Sequence, residues 1–159
     1  PTGQNEVLRL TQSQVGYSYR AVVSYIDSHG TREVLYTSPS ETIDNLDDPV
    51  QGEVTIIGEP KEGVTLRALS NSLSDEDGIA SISISWETSK DGRNWIGVNS
   101  LSGPVLSLGQ SLVGSQVRAR VAVVDNFGIE TNLYSQATRT VENVNNKPSG
   151  RIVIRRVGQ

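Results

Sequence analysis

From Ala80 to Glu87 apolar and polar residues alternate. Ile82, Ile84 and Trp86 fall on one side, Ser81, Ser83 and Ser85 on the other. A period of two predicts a strand with one buried face. The same alternation returns in "QVRARVAVVD" (116–125), where Val117, Ala119, Val121 and Val123 oppose Arg118 and Arg120. Shorter runs read the same way: "GEVTIIG" (52–58), "GVTLRALS" (63–70), "WIGV" (95–98), "PVLSL" (104–108) and "TNLYSQATRTV" (131–141). Between them lie turn signals. "KDGRN" (90–94) and "DNFG" (125–128) carry the Asp and Gly that tight hairpins use, and "GQSLVG" (109–114) is a further turn. No segment sustains a helical period. The pattern predicts an all-β chain of antiparallel strands, with Trp86 filling the core from the third strand of a sandwich.

The pattern also repeats. "VLRLTQSQVGYSYRAVVSYIDSHG" begins at Val7 and "VLSLGQSLVGSQVRARVAVVDNFG" at Val105, an offset of 98 residues without a gap. Between residues 7–48 and 105–146, 16 of 42 positions are identical. A period of this size matches an immunoglobulin-type sandwich of about 100 residues. It divides the chain into three parts. Residues 1–49 are the second half of one repeat, and 50–148 are one whole repeat. Residues 149–159, "SGRIVIRRVGQ", are the opening strand of another, matching "QGEVTIIGEP". On this register "TIDNLDDPVQG" (42–52) and "TVENVNNKPSG" (140–150) are equivalent junctions.

Composition narrows the function. Net charge is −4, which disfavours a nucleic-acid partner. No apolar run approaches the roughly 20 residues of a membrane helix, so no membrane insertion is expected. With no cysteine, a disulfide framework and thiolate metal sites are ruled out. The chain has no methionine and starts at Pro1, as expected of a processed or excised piece of a longer array. Charge is uneven: residues 1–49 hold seven Asp or Glu against three Arg, and residues 149–159 hold three Arg and no acid.

The series "VENVNNKPSGRIVI", "GEPKEGVTL", "LSDEDGIASISISWETSKDGRNW" and "LSLGQSLVGSQVRARVAVVDNFG" resembles the tandem cadherin-like or immunoglobulin-like repeats of very large bacterial surface proteins. These are the repeat-in-toxin (RTX) type adhesins and haemolysin-type calcium-binding proteins. The resemblance spans essentially the whole chain, through motifs that are specific as a set and weak singly. It implies tandem antiparallel β-sandwich repeats, an extracellular or bacterial-surface location and export without disulfides. It also implies calcium at some junctions and neighbouring repeats of the same polypeptide as the main partners. One departure stands out: the second linker has Asn145, Asn146 and Lys147 where the family often has an Asp.

The residues make a physical case for a cation at the first junction. In an immunoglobulin-like sandwich the loop between the second and third strands, and the turn between the last two, lie at the end where the chain enters. Here these are "NSLSDEDG" and "DNFG", and the entering linker is "DNLDDP". Asp44, Asp47, Asp48, Asp75, Asp77 and Asp125 are therefore expected at one end. Calcium takes six to eight oxygens, several of them carboxylate. So many carboxylates together repel one another unless cations, Arg or water intervene. The competing reading is turn chemistry, in which Asp caps its own backbone. "DEDGIASISISWE" fails as an EF-hand, lacking the spaced third ligand and the Glu at position twelve. The second junction, with Glu142, Asn143, Asn145 and Asn146, is expected to be a mostly neutral hinge.

No catalytic constellation is legible, so an enzyme is not expected. His29 is the sole histidine, placed in a loop, and no phosphate-binding glycine loop occurs. The expected role is structural: extender repeats of a large adhesin, with a cation fixing a junction. The alternative is a carbohydrate- or partner-binding sandwich module, for which Trp95 is the candidate platform. A further expectation is that strand 150–157 of one copy completes the half repeat of another by strand exchange.

Overall fold

A computed structural model describes residues 7–155 of the chain, apart from the side chains of residues 99–101. Nine strands form in chain order among the described residues. They are β1 (Val22–Ile26), β2 (Arg32–Tyr36), β3 (Thr55–Ile57), β4 (Thr65–Leu69), β5 (Ile79–Ser89), β6 (Ile96–Ser102), β7 (Val105–Ser107), β8 (Gln116–Asp125) and β9 (Glu130–Tyr134). Two single turns of 3₁₀-helix, Gln12–Gln14 and Gln110–Leu112, are the only helical elements among the described residues. No helix among them is long and apolar enough to cross a membrane. The all-β prediction holds, and every ladder is antiparallel.

Residues 50–148 form two sheets, β3-β4-β7 and β6-β5-β8-β9, on either side of one core. This is the arrangement of a β-sandwich. Along β8 the alternation read from the sequence is matched in burial: Val117, Ala119, Val121 and Val123 are wholly buried, and the residues between them are not. They meet Leu66, Ala68, Leu106, Leu108 and Trp86 from the rest of the repeat. Each fully buried Val or Leu contributes about 1.5–3 kcal/mol relative to exposure. Trp86 is core, as expected, and its indole N–H donates to the Gly103 carbonyl at 3.0 Å. That bond removes the cost of burying a polar edge. Ile82 differs from expectation, being 41% exposed, and lines an open cleft with Leu69, Ile84 and Pro104.

Residues 7–49 fold locally as their counterparts do but without a core. β1 and β2 pair only with each other. Asp27 Oδ1 accepts the N–H groups of His29 and Thr31 at 2.8 Å, and Asp125 Oδ1 accepts those of Phe127 and Ile129 at the same distance. The Ala21 N–H donates to Thr37 Oγ1, as the Ala119 N–H donates to Ser135 Oγ. The Ile43 N–H reaches the Tyr17 carbonyl, as the Val141 N–H reaches that of Ser115. Even the packing of arginine on tyrosine recurs, Arg20 on Tyr36 at 4.5 Å and Arg118 on Tyr134 at 4.3 Å. Each pair is 98 residues apart.

Residues 149–155 were expected to open a strand. They carry no ladder, because no described residue pairs with them, and Ile152 and Ile154 are 93% and 94% exposed. Residues 156–159, the rest of that expected strand, and residues 1–6, the start of the expected half repeat, lie outside the described residues.

Candidate metal centre

Three segments meet where the chain enters the whole repeat. The loop before β5 is shaped by Asp75, whose Oδ1 accepts the Asp77 N–H at 2.8 Å and whose carbonyl accepts the Gly78 N–H. Gly78 has φ +78°, and a Cβ there would collide with the Asn126 carboxamide. That close approach matters because Asn126 ties two loops together. Its Nδ2 donates to the Asp77 carbonyl at 2.9 Å and its N–H to the Gly78 carbonyl at 3.2 Å. The linker joins from the other side: the Asp48 N–H donates to Asp77 Oδ2 at 3.1 Å, and Gln51 bridges Ser74.

This wiring gathers Asp47, Asp77 and Asp125. One carboxylate oxygen from each lies within 4.8 Å of the other two. Oxygens on opposite sides of a calcium ion, at about 2.3–2.6 Å each, are separated by a similar span. Asp77 and Asp125 are each 4% exposed, and Asp47 is exposed at the rim. Asp77 Oδ1 is buried and accepts no hydrogen bond. An unpartnered buried carboxylate oxygen is costly, because it has lost water and gained nothing. Asp125 spends Oδ1 on its turn, and its Oδ2 accepts no hydrogen bond among the described residues. The trio can hold a metal ion.

The electrostatics point the same way. Asp47 has its pKa raised above the ordinary carboxylate value of 3.8. Partial desolvation is the largest cause, followed by repulsion from Asp125, Asp77, Asp75 and Asp48. Without a cation the negative charge of Asp47 is disfavoured by its neighbours.

Of the six predicted ligands, then, three come together as a trio. Asp75 and Asp48 stand close enough to act on Asp47 by charge, while Asp75 shapes the loop that carries Asp77 and the Asp48 N–H donates to Asp77. Asp44, exposed on the linker, joins neither the trio nor the charges that act on Asp47. The turn-chemistry reading is also right in part, since Asp125 and Asp75 both cap backbone. What sequence reasoning missed is Asn126, whose role as a strap needs the two loops in contact.

The second junction, expected as a mostly neutral hinge, is hydrogen-bonded to the preceding repeat over 142–146. The Glu62 N–H donates to the Glu142 carbonyl at 2.9 Å, and the Glu142 N–H to the Pro60 carbonyl. Glu62 Oε2 accepts the Val144 N–H at 3.0 Å, and Oε1 accepts Asn146 Nδ2 at 3.4 Å. The linker is clamped to the repeat as far as Asn146, by a residue more than 80 positions away in sequence. Nothing local in "TVENVNNKPSG" announces that partner.

Trp95, the candidate sugar platform, has one ring face covered. The Arg118 guanidinium lies 4.3 Å from its centroid and 4.3 Å from that of Tyr134, while Arg118 also pairs with Glu87 at 2.6 Å. The stack braces the outer face of the four-stranded sheet. Comparison with protein-family models, with curated proteins and with solved structures finds no match to this chain, so the reading of the site rests on its geometry.

Proposed function

We propose that the chain is a stretch of immunoglobulin-like, cadherin-like extender repeats from a large extracellular bacterial surface protein. On this reading its divisions are the half repeat 1–49, the whole repeat 50–148 and the start of another at 149–159. Its role is mechanical, to hold neighbouring repeats in line, and no catalytic step is assigned to it. Calcium is the cation we assign to the first junction. The observation that carries this is Asp77 Oδ1, buried and unpartnered at the point where linker Asp47 and turn Asp125 converge.

Three carboxylates from linker, loop and turn suit a hard oxygen-seeking cation, with further oxygens supplied by backbone or water. Because Asp47 belongs to the linker and Asp77 and Asp125 to the sandwich, one ion would couple junction angle to repeat stability. In a tandem array, where stability is nearly a sum of repeats and their junctions, that coupling stiffens the whole. The test is thermal unfolding and small-angle scattering of the chain in calcium and in chelator. Calcium should raise the melting temperature of the parent and leave Asp77→Asn unchanged. A parent protein whose stability and shape ignore both calcium and chelator would refute the assignment.

A further inference from the structure

The first and last segments of the whole repeat are joined to each other directly. Lys61 and Glu142 form a parallel bridge, in a fold whose ladders are all antiparallel. The Glu62 N–H donates to the Glu142 carbonyl and the Glu142 N–H to the Pro60 carbonyl, both at 2.9 Å. Glu62 adds its carboxylate: Oε2 accepts the Val144 N–H and Oε1 accepts Asn146 Nδ2. Segment 60–62 follows β3 near the start of the repeat, and segment 142–146 closes it. Residues 63–141, which hold most of the core, lie between the two in sequence and outside their contact.

Direction decides what such a clamp does under tension. The chain enters the repeat beside the cation site, where Gln51 bridges Ser74, and β3 runs away from it. β8 ends in that site at Asp125 and is ten residues long. Beside its far end the Ser115 carbonyl accepts the Val141 N–H, one residue before the clamp. At about 3.3 Å per residue, the clamp lies roughly 30 Å from the entering junction. The chain therefore enters at one end of the sandwich and leaves at the other. Segments 60–62 and 142–146 run the same way, so pulling the ends apart draws one past the other. Their hydrogen bonds are then strained together, in shear, rather than opened one after another. Among the described residues, a pull on the C-terminal end meets these bonds first. A pull on the N-terminal end meets them after the Gln51 bridge and the three-pair ladder of β3 with β4.

We infer that this clamp is the force-bearing element of the repeat, with the Glu62 carboxylate as its key. While it holds, tension passes from 142–146 to 60–62 and back along β3, and the sandwich between them stays folded. Once it parts, the sandwich unfolds. The inference rests on the reading of the chain as a link between neighbouring repeats, since only a link is pulled at residues 50 and 148. It does not rest on the cation. Tested in chelator, it stands or falls alone, whereas a parent whose stability ignores calcium would refute the cation assignment and leave the clamp untouched.

Single-molecule pulling on the full chain, held by its two ends at constant force, decides it, because forced unfolding reads the unfolding rate. Unfolding of residues 50–148 is recognised by a length gain of about 300 Å, since an extended residue spans about 3.3–3.6 Å. Glu62→Ala should raise the rate of that step about tenfold, the effect of one charge-assisted hydrogen bond lost from the barrier. Val144→Pro removes the N–H donor, leaves Glu62 in place and should raise the rate as well. Arg118→Ala removes the brace between Trp95, Tyr134 and Glu87, away from the clamp. It should speed unfolding in denaturant yet leave the rate under force within about twofold of the parent, because that brace is intact when the clamp parts. A parent-like rate under force in either clamp variant would overturn the inference. So would an Arg118→Ala variant that unfolds under force as fast as Glu62→Ala.

Discussion

Leu106 and Leu8 occupy the same place in two copies of one pattern, yet Leu106 is wholly buried and Leu8 is half exposed. The turns around them are alike: Asp27 and Asp125 cap the same two N–H groups, and Thr37 and Ser135 receive the same alanine amide. Turn geometry follows from residues within a few positions of each other. Burial needs the remaining strands of both sheets, β3 and β4 in one and β5 and β6 in the other, which residues 50–104 supply to residues 105–148. Comparing the two regions therefore separates what local sequence does from what a packed core does. The two junctions divide the same way. Asp47 meets Asp77 and Asp125 across a loop contact, and its counterpart Asn145 brings no charge to a linker held instead by Glu62.

The sharpest way to break the comparison is to truncate the paired leucines. Leu106→Ala should destabilise the whole repeat by about 2–5 kcal/mol, as for a buried leucine that leaves a cavity. Leu8→Ala should stay within about 0.5 kcal/mol by the same denaturant titration. Equal losses would mean that residues 7–49 have a core of their own.

Next in size is the cation. At a calcium concentration 100 times the dissociation constant, stabilisation should approach about 2.7 kcal/mol, as for any ligand that binds only the folded state. Asp47→Asn should reduce the calcium response and Asp77→Asn should abolish it, whereas Asp44→Asn should leave it intact.

At the second junction, Glu62→Ala should cost about 1 kcal/mol, a typical net value for a lost hydrogen bond. Its distinctive sign is faster hydrogen exchange at the Val144 amide, with the first junction undisturbed.

The smallest effect is one of pH. Asp47 has a folded-state pKa above 3.8, so in chelator the folded protein binds its proton more readily than the unfolded chain does. Stability from this group should fall as pH rises through the folded pKa, and should be regained on acidification from neutrality toward pH 4. Asp91 runs the other way. Hydrogen bonds from the Asn94 and Arg93 amides, the Asn94 side chain and the Ser89 hydroxyl hold its pKa well below the carboxylate range. Its contribution is present above about pH 4 and is lost below it. Asp47→Asn should flatten the first trend, and Asp91→Asn should flatten the second.

Much of the fold and part of the site are legible in the residues alone. The alternation along 116–125 predicts β8 and its four buried residues, and Trp86 declares itself by its place on the third strand. The 98-residue register aligns the two junctions, and the way sandwich loops cluster brings Asp47, Asp77 and Asp125 to one end. These signals survive in one dimension because period and turn chemistry act over a few residues. The strap by Asn126, the clamp by Glu62 and the buried, unpartnered oxygen of Asp77 do not. Each depends on segments 29 to 84 positions apart meeting at hydrogen-bond distance. Sequence alone determined an all-β chain built on a repeat, with acid concentrated at its first junction. Only the tertiary structure decided which of those acids face one another. Coulomb repulsion, desolvation and metal coordination depend on distances between atoms, and only the packed loops set those distances.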